Sequence, residues 1–272
     1  MSECSHDCSS CSANCASRDS ASLIEKPRES THVKKIIAVM SGKGGVGKSM
    51  VTSLLAVLSQ RMGYKTGILD ADVTGPSIPM AFGIHEGAVG SEEGILPSLT
   101  KTGIKMMSVN LLLDQETSPV VWRGPVIAGT VKQFWTDVLW GDLDVLYIDM
   151  PPGTGDVPLT VFQSIPVDGA VVVATPQTLV GMIVEKAVNM ADLMNIPVLG
   201  LVENMSYIRC PHCGEKLSPF GEQLPRDPDW HDLKLLGQLP VSVKLAAACD
   251  QGMIELFDGD WLDDAVSELL KD

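Results

Sequence analysis

The stretch Gly42-Lys43-Gly44-Gly45-Val46-Gly47-Lys48-Ser49 constrains this chain more than any other. It fits the pattern G-x-x-x-x-G-K-[ST], follows the apolar run Ile36 to Met40, and opens the helical run Ser49 to Met62. Between a strand and a helix, such glycines let the backbone curl until its amide N–H groups point inward. Those dipoles and the helix N-terminus together hold phosphate oxygens. Lys48 is then expected to reach the β- and γ-phosphates, and the Ser49 hydroxyl to ligate Mg²⁺.

The remaining pattern agrees with a phosphate-binding α/β fold. Ile36 to Met40, Thr66 to Leu69, Ile104 to Val109, Val145 to Ile148, Ala170 to Ala174 and Val198 to Val202 read as strands. They are apolar almost without interruption, as strands buried on both faces are. Val180 to Met194 reads as a helix, with Val180, Val184, Ala187, Val188, Ala191 and Met194 on one face. Alternating strands and helices predict an α/β fold, a mostly parallel sheet with helices on both faces. A last helix is expected over Trp261 to Leu270, its outer face acidic.

Composition narrows the function classes. The 272 residues are 45% hydrophobic with a mean hydropathy of +0.17, which excludes a wholly disordered chain. The formal net charge of -14 argues against broad binding to nucleic acid or to an anionic membrane, both of which need clustered Lys and Arg. No apolar run approaches the roughly 20 residues of a spanning helix, and the start MSECSHDCSSC has no basic segment before an apolar one. These features lead us to expect a cytoplasmic protein. In a reducing compartment its seven cysteines point to metal or redox chemistry rather than disulfides.

Two segments stand outside the α/β pattern. Residues 1–32 read as a Cys-rich tail, and residues 33–272 as the P-loop ATPase domain. In the tail, Cys4, Cys8, Cys11 and Cys15 follow the spacing C-x₃-C-x₂-C-x₃-C. Four thiolates this close suit one cluster or one zinc ion, with His6 as a competing ligand; a flexible tail that holds metal loosely is the plainer alternative. Around residues 205–228 the pattern breaks into an expected functional loop that carries Cys210-Pro211-His212-Cys213. Cys210 and Cys213 are half of a tetrahedral thiolate set, with His212 a flank rather than a ligand. Iron–sulfur cluster, Zn²⁺ and redox dithiol all remain open for the pair. Cys249, alone in an apolar stretch, reads as a small buried hydrophobe.

Lys43 is a second lysine early in the phosphate loop, badly placed to fold back on its own nucleotide. It could reach a phosphate across a dimer interface, as an arginine finger does in trans, or simply be a solvated surface lysine. With Ser41 in front, Ser41 to Ser49 resembles the deviant Walker A motif of the MinD/ParA/nitrogenase-iron-protein class. Asp70-Ala71-Asp72-Val73-Thr74-Gly75-Pro76-Ser77 resembles that class's second motif, and Tyr147 to Asp156 its switch II. Together with Trp122-Arg123-Gly124-Pro125 and the Cys210/Cys213 pair, the chain from Val33 onward is similar to the Mrp/ApbC family of iron–sulfur cluster carrier ATPases.

The acidic residues can be read from chemistry as well. Asp149 ends a buried strand at the carboxyl edge, where α/β sheets bind ligands, and can hold Mg²⁺ or its water shell. Asp70 is a second candidate for that shell; Asp70 and Asp72 could instead be turn or helix caps. The resemblance implies that Asp72 positions the attacking water, and that Asn204 pairs with adenine through its amide. Gly237 to Val241 is expected to form a turn, with Pro240 against the base or with a purely structural role. Gly42, Lys43, Gly44, Gly45, Val46, Gly47, Lys48, Ser49 and Met50 complete the expected nucleotide site. Gly153 and Gly155 would make the switch loop pliable.

The resemblance implies a homodimer in which two copies of the 210/213 pair supply four ligands to one bridging [4Fe–4S] cluster. It implies ATP and Mg²⁺ as cofactors, and apo iron–sulfur proteins as recipients of the cluster. The alternative is a MinD/ParA-type positioning ATPase. That reading is disfavoured by a C-terminal helix carrying Asp260, Asp263, Asp264 and Glu268 against Lys271 alone. An electron-transfer ATPase like the nitrogenase iron protein would hold its bridging cluster with separated cysteines rather than a tight pair.

Overall fold

The computed structural model describes residues 23–73, 75, 77–113, 124–176, 181–220 and 233–271. In chain order the strands and helices begin with β1 (His32–Met40), α1 (Lys48–Arg61), β2 (Thr66–Asp70) and α2 (Ile78–Phe82). The short β3 (Val89–Gly90), β4 (Ile95–Leu96), β5 (Ser98–Leu99) and β6 (Lys105–Met107) follow, then α3 (Gly124–Thr136). Next come β7 (Asp142–Asp149), α4 (Asp156–Ser164), β8 (Gly169–Ala174) and α5 (Gly181–Leu193). The chain closes with β9 (Val198–Arg209), β10 (Lys216–Leu217), β11 (Leu235–Pro240), α6 (Val243–Asp250) and α7 (Asp263–Leu269).

One sheet organises these elements, in the order β10-β9-β8-β1-β7-β2-β6-β5, with β11 also paired to β9. Every central pairing is parallel: β8–β9, β1–β8, β1–β7, β2–β7 and β2–β6. Among the described residues of this sheet only the edge strands β10 and β5 run antiparallel to their neighbours, and β3 and β4 form a separate antiparallel pair. The parallel α/β sheet expected from the sequence is therefore present.

The apolar runs are continuous because both sheet faces are covered. Ile36, Ala38 and Met40 of β1 meet Val131, Phe134 and Trp135 of α3, Val161 and Phe162 of α4, and Val184 and Val188 of α5. Ile37 and Val39 point the other way, toward Val51, Leu55 and Leu58 of α1 and Val266 and Leu269 of α7. Because the central strands are parallel, their carboxyl ends gather at one edge. Ser41, Asp70 and Asp149 stand there together, which is what places the site. Among the described residues no helix is long and apolar enough to cross a membrane.

Several elements differ from the sequence expectations. The run Ile104 to Val109 shortens to Lys105–Met107, because the Ser108 hydroxyl accepts from Asn110 N–H and starts a 3₁₀ turn at Val109. The expected loop from Met205 begins later. β9 continues to Arg209, because Tyr207 pairs with Pro240 on one side and Ile208 and Arg209 pair with β10 on the other. Gly237 to Pro240 belongs to strand β11 rather than a turn, since β9 offers it a parallel partner. β1 begins at His32, and ahead of it Glu25 is fixed by its N–H to Ser164 O and by the Trp135 indole donating to its carbonyl.

Candidate functional site

Gly47 precedes α1 in a left-handed conformation, φ +81°. A Cβ there would come within 2.2 Å of Asn204 Nδ2, so both the backbone angle and the space demand glycine. The loop it ends wraps the N-terminus of α1. Gly42 and Lys43 are half-buried, Gly44 and Gly45 exposed, and Val46 buried. The Ser41 hydroxyl donates to Lys43 O at 3.0 Å, and Gly153 N–H of the next strand's loop donates to Ser41 O at 2.9 Å. The loop after β7 is thus tied directly to the phosphate loop.

Lys48 and Asp149 form the centre of the site. Lys48 Nζ lies 2.8 Å from Asp149 Oδ1 and 3.8 Å from Asp72 Oδ2. The Ser49 hydroxyl donates to Asp149 Oδ2 at 2.6 Å, and the Thr52 hydroxyl donates to Oδ1 at 2.7 Å. Lys48 is 5% exposed and Asp149 fully buried, and a buried carboxylate persists only when paired and hydrogen-bonded, as this one is. Asp70 and Asp149 are register partners on adjacent strands. Burial first, and the Asp149 charge second, push the Asp70 carboxyl up to about 8, against the opposing pull of Lys48, the Ser108 hydroxyl and Asp72 N–H. Asp70 therefore holds its proton more tightly than an ordinary carboxyl, while Asp149 has Lys48 as its counter-ion.

The structure brings Lys48, Ser49, Asp70, Asp72 and Asp149 together as the sequence led us to expect. Thr52 escaped that reading. It sits one helical turn beyond Lys48, so i, i+4 spacing on α1 was the available signal. Ser108, which donates to Asp70 Oδ2 at 2.9 Å, had no local signal at all. Met50 is half-buried on α1 below the loop.

Asn204 is fully buried on β9. Its Nδ2 donates to Val46 O at 2.8 Å, and its Oδ1 accepts from Met205 N–H at 2.9 Å. An amide has a second N–H and a second lone pair, so these bonds leave capacity for one more partner. Pro240 is buried at the end of β11, opposite Tyr207.

The thiol pair lies at the same edge of the sheet, where β9 turns back into β10. Cys210 N–H donates to Glu215 O and Gly214 N–H to Cys210 O, both at 2.9 Å, and Gly214 takes φ +75° to close the turn. The hairpin tip is therefore a tight knuckle. Cys213 is exposed and Cys210 half-buried. Backbone N–H groups of Cys213 and then His212, followed by the Cys213 thiol, aim at the Cys210 sulfur and hold its thiol below the usual range. Cys249 behaves oppositely: burial and the neighbouring Asp250 push its thiol up. Among the described residues no group of three or more His, Cys, Asp and Glu side chains is arranged to hold a metal ion. Cys4, Cys8, Cys11 and Cys15, like Trp122 and Arg123, lie outside the described residues.

Comparison with known proteins gives this architecture relatives. Residues 32–269 match the family model described as ParA, NUBPL iron-transfer P-loop NTPase. An iron-sulfur cluster carrier protein of Clostridium perfringens is 43% identical over 264 residues, covering 89% of this chain and 93% of that protein. A nucleotide-binding protein from Archaeoglobus fulgidus, solved in complex with ADP and with cobalt, is 45% identical with a TM-score of 0.73, over 84% of this chain and 90% of that one. The MinD cell division protein of Aquifex aeolicus shares the fold alone, at 20% identity and a TM-score of 0.57, over 87% of this chain and 95% of its own.

Proposed function

Because the chain belongs to the NUBPL iron-transfer family of ParA-type P-loop NTPases, we propose that it is an ATP-hydrolysing homodimer that carries a [4Fe–4S] cluster and hands it to apo-proteins. One observation carries the reading. A buried phosphate-loop site that is nearly complete within one chain shares a sheet edge with a thiolate pair that is only half a ligand set.

In the nucleotide site, an arriving triphosphate competes for Lys48, whose ammonium shifts from Asp149 toward the β- and γ-phosphates. Ser49 and Asp149 offer two hard oxygen donors only 2.6 Å apart, a set that fits Mg²⁺, with Asp70 beside it. Mg²⁺ bound there supplies charge neutralisation on the phosphate oxygens. Asp72, across Lys48 from Asp149, orients the attacking water. The loop amides of Gly44 to Ser49 hold the phosphate oxygens, and Asn204 reads adenine with its remaining N–H and lone pair. Pro240 flanks the base. Lys43, on the loop's rim, completes the charge stabilisation of the partner's nucleotide.

In the thiolate site, Cys210 and Cys213 of each copy supply two of the four ligands, and the cluster is cargo. Softness of the sulfur donors suits iron–sulfur or Zn²⁺ ligation. The N–H groups aimed at Cys210 favour its thiolate, the form that binds metal. Cys4, Cys8, Cys11 and Cys15 form a second, separate thiolate set in this proposal.

The test is a paired assay on anaerobically reconstituted protein: ATP turnover, and recovery of activity by an apo iron–sulfur enzyme supplied as acceptor. We expect both, with Lys43→Ala lowering turnover by about a hundredfold or more while ATP affinity stays near its original value. Turnover unchanged by that substitution would remove the trans lysine. A loaded chain that never activates the acceptor would remove the carrier role.

A further inference from the structure

One strand runs through both candidate sites. Asn204 of β9 lies under the phosphate loop, and the thiolate knuckle begins where the same strand ends at Arg209. Between these points β9 is irregular. On β11, Gln238 pairs with Glu203 and Pro240 with Tyr207, so Leu239 alone faces Asn204, Met205 and Ser206. This surplus on β9 is a bulge, and bulges re-aim the strand that follows them.

Met205 carries the bend. Its φ is +55°, in the left-handed region that a residue with an unbranched apolar side chain rarely adopts. Met has no polar group to ease that conformation by a local hydrogen bond, as Asn or Asp would. The conformation is instead imposed by a neighbour: Met205 N–H is held by Asn204 Oδ1 at 2.9 Å. The other end of the same amide donates to Val46 O at 2.8 Å. One side chain therefore grips the phosphate loop and the strained peptide at once. Asn204 Nδ2 also packs against Gly47, filling the space that a Cβ there would need. Beyond the bend the hairpin is a stiff unit. Val241 N–H donates to Tyr207 O at 2.8 Å, and the Tyr207 ring carries the Lys216 ammonium at 4.4 Å and the Arg209 guanidinium at 5.7 Å.

We propose that Met205 is a positioning residue: its left-handed peptide, set by Asn204, passes a displacement of the phosphate loop to the Cys210/Cys213 hairpin, so nucleotide changes how the thiolates are presented. Strain confined to one residue between two sites is the kind of element that both sites can bias. This inference rests on reading the chain as a nucleotide-binding cluster carrier.

The experiment uses the full chain and follows alkylation of Cys210 and Cys213 by iodoacetamide, mapped by peptide mass spectrometry, with Cys249 as internal reference. Rates are compared without nucleotide, with Mg-ADP and with Mg-ATP, alongside nucleotide Kd. Met205→Gly relaxes the left-handed peptide without changing its direction, and Met205→Ala keeps the strain while removing the side chain. In the parent chain and Met205→Ala, nucleotide should change the Cys210 rate by about fivefold or more. In Met205→Gly the change should fall below about twofold with nucleotide Kd unaltered. A Met205→Gly chain that responds as fully as the parent overturns the inference. So does a parent chain that binds nucleotide with no change at Cys210, an outcome that leaves the carrier reading standing if the cluster still loads. A parent chain that binds no nucleotide defeats that reading and the coupling with it.

Discussion

Lys48, Thr52 and Asp149 are at most 5% exposed, and each satisfies another through bonds of 2.7 to 2.8 Å. Cys213, at the same edge of the sheet, stands exposed at a hairpin tip, and the knuckle's own contacts, backbone bonds and the Cys213 thiol turned toward Cys210, shape it without completing it. The phosphate site is an internal network whose parts hold one another, and it costs stability to disturb. The thiolate site is an outward-facing fragment, whose loss should cost the fold little. A site whose parts hold one another can be housed almost entirely in one chain. In the proposed reading, cargo that is handed on has to remain within reach of another molecule.

The contrast can be broken most forcefully from the thiolate side. In a chain whose tail cysteines are replaced by Ser, Cys210→Ala/Cys213→Ala should abolish cluster loading altogether, while thermal stability stays within the roughly 0.5 kcal/mol typical of surface changes. Iron and sulfide analysis with a melting curve checks both halves, and full loading of the double variant would contradict the assignment. From the phosphate side, Lys48→Ala should eliminate turnover and also destabilise the fold by about 3–5 kcal/mol, because it strands a buried carboxylate. Lys48→Ala/Asp149→Ala should recover part of that loss; a double variant no more stable than the single one would show that the pair is not the central contact.

A pH series sharpens the comparison further. Asp70 binds its proton more tightly in the fold, with a pKa of about 8 against 3.8 ordinarily. Its contribution to stability is therefore full below about pH 4 and is lost as pH rises through about 8. Melting temperature should fall across that window in the parent chain, and fall less in Asp70→Asn; parallel curves would refute the shift. The smallest effect is expected at Thr52. Thr52→Val removes one donor to Asp149 and should cost about 1–3 kcal/mol, read from denaturant midpoints.

How much of this was legible in the sequence follows the same division. The phosphate loop could be read because its motif is local: strand, glycines, Lys48 and Ser49 are contiguous, and Asp149 ends an apolar run. Thr52 lay within reach of helical periodicity. Ser108 and the two-ended grip of Asn204 depend on distant strands meeting, which no local pattern reports. The end of β9 was hidden for a different reason. Glu203, Asn204, Ser206 and Arg209 interrupt the apolar run that marks the buried strands, and Ile208 and Arg209 are held extended by pairing with β10. Gly237 to Pro240 looked like a turn from its Gly and Pro, yet β9 supplied a parallel partner that overrode local preference.

The central claim is that the thiolate site is completed only by a second copy. Anaerobic reconstitution of the chain lacking the tail cysteines, followed by sedimentation with absorbance at the cluster's visible band, tests it directly. The account predicts that the cluster travels only with the dimer, at about one [4Fe–4S] per two chains. A monomer carrying an intact cluster on Cys210 and Cys213 would contradict it.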